Sequence, residues 1–192
     1  ETGSSYVDST ANDNDGVGEG TDPTAVAGMA GNAQSITNGR IDIGNGLTSP
    51  INLTSKMTVS TWINLNSSSG DQTLVGQYTG AGDLLFWADE GDANPSFCFY
   101  MGDYFPNDCR DTDTQNPGTW QNVVGRYNGT QGTVFVDGSI TGNGNTNGSY
   151  SLDPVLRWSI GSAHGDSNAR QFIGLMDEVR ISSIDRTDAW LT

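Results

Sequence analysis

WQNVVGRYNGTQGTVFVDG, which spans Trp120–Gly138, carries the clearest secondary-structure signal in the chain. It contains two runs rich in valine and aromatic residues, Trp120–Tyr127 and Gly132–Val136. Residues of these types favour β-strands. Asn128-Gly129 opens a turn between the runs, and Asp137-Gly138 closes the second one. Two strands joined by a short turn that contains glycine form a β-hairpin, so the sequence predicts one here.

Further strands are predicted on both sides of this hairpin. Met57–Leu65 alternates with the period of a strand, and Trp62 lies on the face opposite to most of its apolar residues. The remaining strands are expected at 36–43, with a turn at Asn38-Gly39, and at about 72–78, 84–88, 96–101, 156–160 and 172–181. Residues 8–32 are polar and rich in glycine, which predicts a long loop, and 185–190 could form one helical turn. Many short strands without an internal repeat predict an all-β fold, a two-sheet antiparallel β-sandwich.

Length and composition agree with one domain of this kind. The chain has 192 residues, and its five Trp, six Phe and six Tyr can fill a core. Its net charge of −15 comes mainly from 19 Asp, against eight basic residues. Because nucleic acids and anionic membranes attract basic surfaces, we expect no nucleic-acid partner and no membrane insertion. Glu1–Gly3 are expected to be the remnant of an expression tag, and residues 4–192 to form a single domain.

Two cysteines and four glycosylation sequons indicate an oxidising, extracellular location. Cys98 and Cys109 lie eleven positions apart, and a hairpin between them would bring them opposite each other, so we expect a disulfide bond. Metal binding by this pair is the weaker alternative, since no histidine is near in sequence. The sequons begin at Asn52, Asn66, Asn128 and Asn147. They are compatible with secretion, although several arise by chance in such a polar chain.

Several motifs together resemble a known family. They are TVSTWI at 58–63, GTWQNVV at 118–124, VFVDG at 134–138, IG at 160–161 and FIGLMDEVRI at 172–181. In this order they resemble laminin G-like, concanavalin A-like domains, over about residues 8–192. The ending RTDAW at 186–190 is similar to versions attached to large bacterial and archaeal surface proteins. The resemblance implies a jelly roll with a concave and a convex sheet, a fold that hosts lectins, hydrolases and plain spacers.

The resemblance also implies a structural calcium ion, where a loop near the N-terminus meets the last strand. The matching ligands in this chain are Asp177, Asp8, Asn12 and Asn14. Asp177 lies between Met176 and Val179, where an unpaired carboxylate would be costly to bury. A calcium ion, which prefers oxygen ligands, would remove that cost. The alternative is that Asp177 pairs with Arg180 or Arg40, and that residues 8–14 form a hydrogen-bonded Asx turn.

Aromatic and acidic residues in the middle of the chain are candidates for carbohydrate binding. Sugars are held by an aromatic platform together with carboxylates and amides, because a pyranose has one apolar face and a rim of hydroxyls. The candidate residues are Trp87, Asp83, Asp89, Tyr100, Asp103 and Tyr104. The alternative is that Trp87 is an ordinary packed strand residue, and that Tyr104 packs against the hairpin that carries it.

No catalytic pattern is evident. A glycosidase needs two carboxylates that face each other across a groove, and Glu19, Glu90 and Glu178 do not form the pattern of the hydrolase relatives. His164 lies in a polar loop without a nucleophile elbow. We therefore expect a non-catalytic binding or adhesion module of a larger secreted or cell-surface protein, with a glycan or an extracellular protein as ligand. A rigid spacer is the second hypothesis, and a hydrolase with an unrecognised site is the third.

Overall fold

The computed structural model describes residues 5–45, 56–77, 84–89, 95–101, 114–145, 155–163 and 170–191. Within these ranges the chain forms fourteen β-strands and one short helix. The strands are β1 (Ser5–Tyr6), β2 (Gly16–Gly20), β3 (Thr24–Ala27), β4 (Asn32–Ile36), β5 (Gly39–Asn45), β6 (Met57–Leu65), β7 (Gln72–Gln77), β8 (Leu84–Asp89), β9 (Ser96–Met101), β10 (Gln121–Tyr127), β11 (Gln131–Val136), β12 (Ser139–Asn145), β13 (Arg157–Ile160) and β14 (Gly174–Ser182). The helix α1 spans Asp188–Leu191, and no helix in these ranges is long and apolar enough to cross a bilayer.

The strands form two antiparallel sheets of seven strands each. The first sheet has the order β1-β2-β5-β13-β7-β8-β9, and the second has the order β12-β11-β10-β6-β14-β4-β3. Neighbours in these lists are often distant in sequence, so both ends of the chain contribute strands to the sandwich. The predicted two-sheet antiparallel β-sandwich is confirmed.

The core lies between the two sheets and follows the alternation of the strands. On β6 the inward residues Met57, Val59 and Ile63 are buried, whereas Trp62 is half-buried on the outer face, as predicted. Gly125 of β10 faces the ring of Phe99, and a Cβ atom there would lie 2.4 Å from Phe99 Cδ2. Because no side chain can occupy that position without moving the ring, glycine lets the two sheets approach closely.

The hairpin predicted around residues 120–138 is present. β10 pairs with β11 in the register Val123↔Val136 to Tyr127↔Gly132. The turn is held by Asn128, whose Oδ1 accepts hydrogen bonds from the backbone N–H groups of Thr130 at 2.9 Å and Gln131 at 2.8 Å. This is an Asx turn, which explains why the polar residues leave the strand period at this point.

Two parts of the secondary-structure prediction were wrong. Residues 8–32, predicted as a long loop, contain β2 and β3 and the first residue of β4. β1 and β12 were not predicted at all. β3 and β12 are the edge strands of the second sheet, and strand β3 has no buried residue. An exposed edge strand needs no alternating apolar residues, so the sequence pattern that reveals central strands is missing.

A β-bulge interrupts β14 beside the position where calcium is predicted. The pairing of β14 with β6 shifts register between Asp177 and Arg180, and Glu178 has a positive φ of 50°. Met176 packs into the core, so Asp177 lies on the outer face of the second sheet. A bulge bends a strand and re-aims its side chains, and here it lets the backbone N–H of Glu178 approach the Asp177 carboxylate.

The C-terminal segment, residues 182–191, is fastened to the second sheet by Arg126. The guanidinium of Arg126 donates a hydrogen bond to the carbonyl oxygen of Arg186 at 3.0 Å and forms ion pairs with Asp185 and Asp188. Leu191 is buried against Val124 and Phe135, in a cluster separate from the main core. The segment therefore has a fixed place on the outer face of β10 and β11.

Candidate functional site

The carboxylate of Asp177 is buried against the turn between β3 and β4. Its Oδ2 accepts hydrogen bonds from the backbone N–H groups of Met29 at 2.7 Å and Ala30 at 2.9 Å, and its Oδ1 accepts one from Glu178 at 2.8 Å. Asp177 is only 7% exposed. Hydrogen bonds to an ionised acceptor are strong, so the three N–H groups compensate the burial of this charge.

Glycine at position 28 is what allows this contact. A Cβ atom on Gly28 would lie 2.5 Å from Asp177 Oδ2 and 2.7 Å from the backbone nitrogen of Ala33. The turn closes with a hydrogen bond from the Gly28 N–H to the carbonyl oxygen of Gly31 at 3.0 Å. Any larger residue at position 28 would push the carboxylate away from the two N–H groups that it accepts.

The carboxylate of Asp8 organises the N-terminal loop, residues 7–14. Oδ1 accepts the Thr10 N–H at 2.9 Å, and Oδ2 accepts the Thr10 hydroxyl at 2.8 Å and the Asn14 backbone N–H at 3.0 Å. Partial burial by itself raises the pKa of Asp8, but the hydrogen bonds from Thr10 and Asn14 stabilise the ionised form and hold the pKa below its ordinary value. This is the Asx-turn arrangement that the sequence left open as an alternative to calcium.

The oxygen atoms of these four residues are not arranged to hold one shared calcium ion. Asp8, Asn12 and Asn14 line a cleft whose lining does not include Asp177. The oxygens of Asp177 and Asp8 already face N–H groups, whose positive ends repel a cation. In the described part of the chain, no three His, Cys, Asp or Glu side chains are grouped to hold a metal ion. Calcium therefore stays a prediction of the sequence.

The two arginines suggested as alternative partners of Asp177 form ion pairs with other residues. Arg180 pairs with Glu178, and Arg40 pairs with Glu19. Asp177 is therefore stabilised by backbone N–H groups rather than by either arginine. Backbone donors carry no signal in the sequence, which is why they were not foreseen.

The aromatic residues proposed as a sugar platform are packed, not open. Trp87 is 3% exposed and Tyr100 is 5% exposed, and both lie in a cluster with Cys98. Their rings meet edge to face, with centroids 6.4 Å apart and an interplanar angle of 71°. A buried ring cannot stack on a sugar, so the structure corrects the platform prediction for these two residues. The packed-strand alternative for Trp87 is the one that the structure supports.

Several predicted residues lie outside the described ranges. These are Asp83, Asp103, Tyr104, Cys109, Glu90, His164, Asn52 and Asn147. Asp89 ends β8, but its side chain is also outside the description. The disulfide between Cys98, which is buried, and Cys109 therefore stays a prediction. Of the sequons, Asn66 and Asn128 are exposed on the described surface.

A cleft that was not predicted from the sequence opens between the N-terminal loop and the C-terminal segment. Its volume is about 610 Å³. Aliphatic residues that belong to or pack against the core form one part of its lining: Ile41, Ile43, Ile160, Val179 and Ile181. Polar residues of the loop and the segment form another part: Asp8, Ser9, Thr10, Asn12, Asn14, Ser182, Ser183 and Arg186. The lining also includes Arg180 of β14 and Trp190 of helix α1.

The two glutamates in the described ranges are held in ion pairs. Glu19 pairs with Arg40 and Glu178 pairs with Arg180, and neither glutamate lines the cleft. The described surface therefore presents no pair of glutamates arranged for glycoside hydrolysis.

The sandwich and its sequence motifs match a known family. The family model described as the concanavalin A-like lectin/glucanases superfamily, of laminin G type, matches residues 31–192. The chain belongs to this superfamily. The matched range contains the hairpin, the bulged strand β14 and the C-terminal segment, whereas the N-terminal loop lies before it. No curated protein matches the sequence significantly.

Three solved structures with a similar fold come from carbohydrate-related proteins. Domain 4 of the extracellular GH43 arabinanase AbnA from Geobacillus stearothermophilus, in complex with arabinotriose, aligns with a TM-score of 0.70 and 16% identity, over 90% of this chain and 81% of that chain. A proposed carbohydrate-binding protein from Bacteroides ovatus aligns with a TM-score of 0.58 and 21% identity, over 73% of this chain and 41% of that chain. Trypanosoma rangeli sialidase in complex with 2,3-difluorosialic acid aligns with a TM-score of 0.69 and 15% identity, over 100% of this chain and 31% of that chain. The chain thus corresponds to only part of the last two, and at these identities the likeness shows the fold.

Proposed function

We propose that this domain is a non-catalytic carbohydrate-binding module of an extracellular, multidomain protein. The observation that carries the proposal is the cleft between the N-terminal loop and the C-terminal segment. It is concave, it combines aliphatic and polar walls, and it includes a tryptophan that is 38% exposed. Sugars have the same mixture of apolar faces and hydroxyl rims, and their sites commonly combine these elements.

The likeness to known proteins supports carbohydrate as the ligand class. The AbnA domain is described in complex with arabinotriose, and the Bacteroides ovatus protein is proposed to bind carbohydrate. A shared fold alone does not transfer a ligand. The two lines of support are independent, because the cleft is a property of this chain's own residues.

Binding without catalysis is supported by the ion pairs of the two described glutamates. Glycoside hydrolysis needs two of them about 5–10 Å apart across the scissile bond. Glu19 and Glu178 are each held by an arginine. A domain that only binds needs no such pair, and its role would be to keep a larger surface protein on its glycan.

A glycan array tests the proposal. The domain is labelled and applied to an array of neutral and acidic oligosaccharides, and hits are measured by isothermal titration calorimetry. We expect saturable binding to a related set of glycans without release of shorter products. If no glycan on the array is bound and calorimetry detects no heat of binding at millimolar oligosaccharide, the proposal is contradicted and the rigid spacer is favoured. Shortened products would instead favour the hydrolase.

A further inference from the structure

We infer that the cleft is the glycan site and that Trp190 is its stacking surface, with an uncharged glycan as the ligand. This inference rests on the proposed function and adds the place and the ligand class. It assigns binding to the region where the two ends of the chain meet, far in sequence from the aromatic residues that the sequence analysis singled out.

Trp190 is held in place before any ligand arrives. The guanidinium of Arg186 lies 4.8 Å from the centre of its indole ring, in a cation–π contact. The next residue, Leu191, is buried against the second sheet. At the first residue of the helix, Asp188 pairs with Arg126. A ring fixed in this way loses little freedom when a sugar stacks on it, which favours binding.

The N-terminal loop supplies polar groups that are ready to bind hydroxyls. The side chains of Ser9 and Asn12 are exposed, line the cleft and have no hydrogen-bond partner among the described residues. Ser183 on the opposite wall has the same properties. The loop that carries the first two is kept rigid by Asp8, whose oxygens accept four hydrogen bonds. Asp8 is thus a positioning residue rather than a ligand contact.

The size of the cleft limits the ligand. Sites for small molecules commonly enclose about 300–1,000 Å³, and this cleft has about 610 Å³. Walls on two sides, from the loop and the C-terminal segment, bound the space. The geometry suits a short oligosaccharide or the end of a longer chain better than the middle of a polysaccharide.

The charge of the protein favours an uncharged ligand. The net charge is −15, and such a surface repels anionic sugars over a Debye length. The two arginines of the cleft do not offset this. Arg180 is paired with Glu178. Arg186 keeps its positive charge in its contacts with Trp190 and Ser182, but Asp8 lines the same cleft and brings one negative charge. Uronic acids and sialic acids are therefore poorer ligands than neutral sugars.

Calorimetry on matched variants tests the site. The probes are the neutral trisaccharides arabinotriose, xylotriose and cellotriose, any neutral hit from the array, and sialyllactose as the charged comparison. We expect Trp190→Ala to weaken the binding of the neutral ligand at least tenfold, and Trp190→Phe to retain most of it. Ile140→Ala, at an exposed apolar residue of β12 that does not line the cleft, should leave binding unchanged.

Two further variants keep the test decisive if Trp190→Ala lowers the melting temperature. Asn12→Ala and Ser183→Ala remove exposed side chains with no partner among the described residues, so they should weaken binding about three- to tenfold while leaving stability intact. If all of these variants bind the glycan with wild-type affinity, the proposed site is wrong but the proposed function is not. A wild-type protein that binds none of the glycans would overturn the proposed function itself. Tighter binding of sialyllactose would overturn the ligand class.

Discussion

Replacing Asp177 by asparagine tests whether backbone N–H groups hold the junction between the last strand and the turn at residues 28–31. The substitution keeps the shape of the side chain and removes its charge. One carboxylate oxygen becomes an NH₂ group, which cannot accept the N–H groups of Met29 and Ala30. If the amide flips to keep those two hydrogen bonds, it loses the one from Glu178.

The cost follows from these contacts. Hydrogen bonds to charged groups contribute about 1.5–3 kcal/mol each, and a buried donor left without a partner costs about 1–3 kcal/mol. Asparagine loses at least one hydrogen bond, and the hydrogen bonds that remain are no longer made to a charged acceptor. We therefore expect a loss of about 2–4 kcal/mol in the free energy of unfolding. For a chain of this length, that corresponds to a fall in melting temperature of roughly 5–15 °C.

Thermal and urea unfolding followed by circular dichroism measure this loss, each in EDTA and in millimolar calcium. Asp137→Asn is the matched control, because Asp137 accepts a single backbone hydrogen bond from Asn122 at 2.8 Å in an exposed turn. Its φ of 49° is one that asparagine tolerates, so its stability should change by less than about 0.5 kcal/mol.

Calcium provides the sharpest check of this account. Since the N–H groups already compensate the Asp177 carboxylate, we expect the wild-type protein to melt at the same temperature in EDTA and in calcium. A wild-type protein that loses several degrees in EDTA, with an Asp177→Asn variant that no longer responds to calcium, would refute the reasoning and establish the ion that the sequence predicts. Equal stability of Asp177→Asn and wild type would also refute it.

Two further predictions concern the N-terminal loop and the cysteines. The pKa of Asp8 is lower in the folded protein than its ordinary value of 3.8, so its contribution to stability is present above that value and is lost as the pH falls through the folded pKa. Asp8→Ala should therefore be less stable than wild type in urea at neutral pH, and the difference should shrink as the pH falls below 3.8 and through the folded pKa; a difference that stays constant into acid would contradict this. A thiol assay on the denatured, unreduced protein should find no reactive thiol if Cys98 and Cys109 are bonded, and two reactive thiols would exclude the disulfide.

The central strands could be predicted from the sequence because burial leaves a pattern. Met57–Leu65 and the hairpin at 120–138 show apolar residues at strand period, and both form strands in the middle of the second sheet. Edge strands that are exposed to solvent leave no such pattern. β3 has no buried residue, and it is a strand because its backbone pairs with β4. That pairing depends on the fold as a whole and cannot be predicted from the four residues of β3.

The candidate site was less accessible to sequence reasoning than the fold. Asp177 was singled out correctly as a carboxylate that needs compensation, but its partners are backbone groups almost 150 positions earlier in the chain. The exposed Trp190 carried no periodicity that would mark it as a surface ring. The cleft combines residues from both ends of the chain, so its existence depends on how the two ends meet and not on any local motif.

The place of β14 in the second sheet also has a consequence for how the protein is made. This strand lies between β6 and β4, although it is the last of the fourteen to leave the ribosome. Until it arrives, β6 and β4 lack the strand that pairs with both of them, and their unpaired backbone groups can recruit other chains. The second sheet can close only after β14 has been synthesised, and its folding is slow because its contacts are distant in sequence.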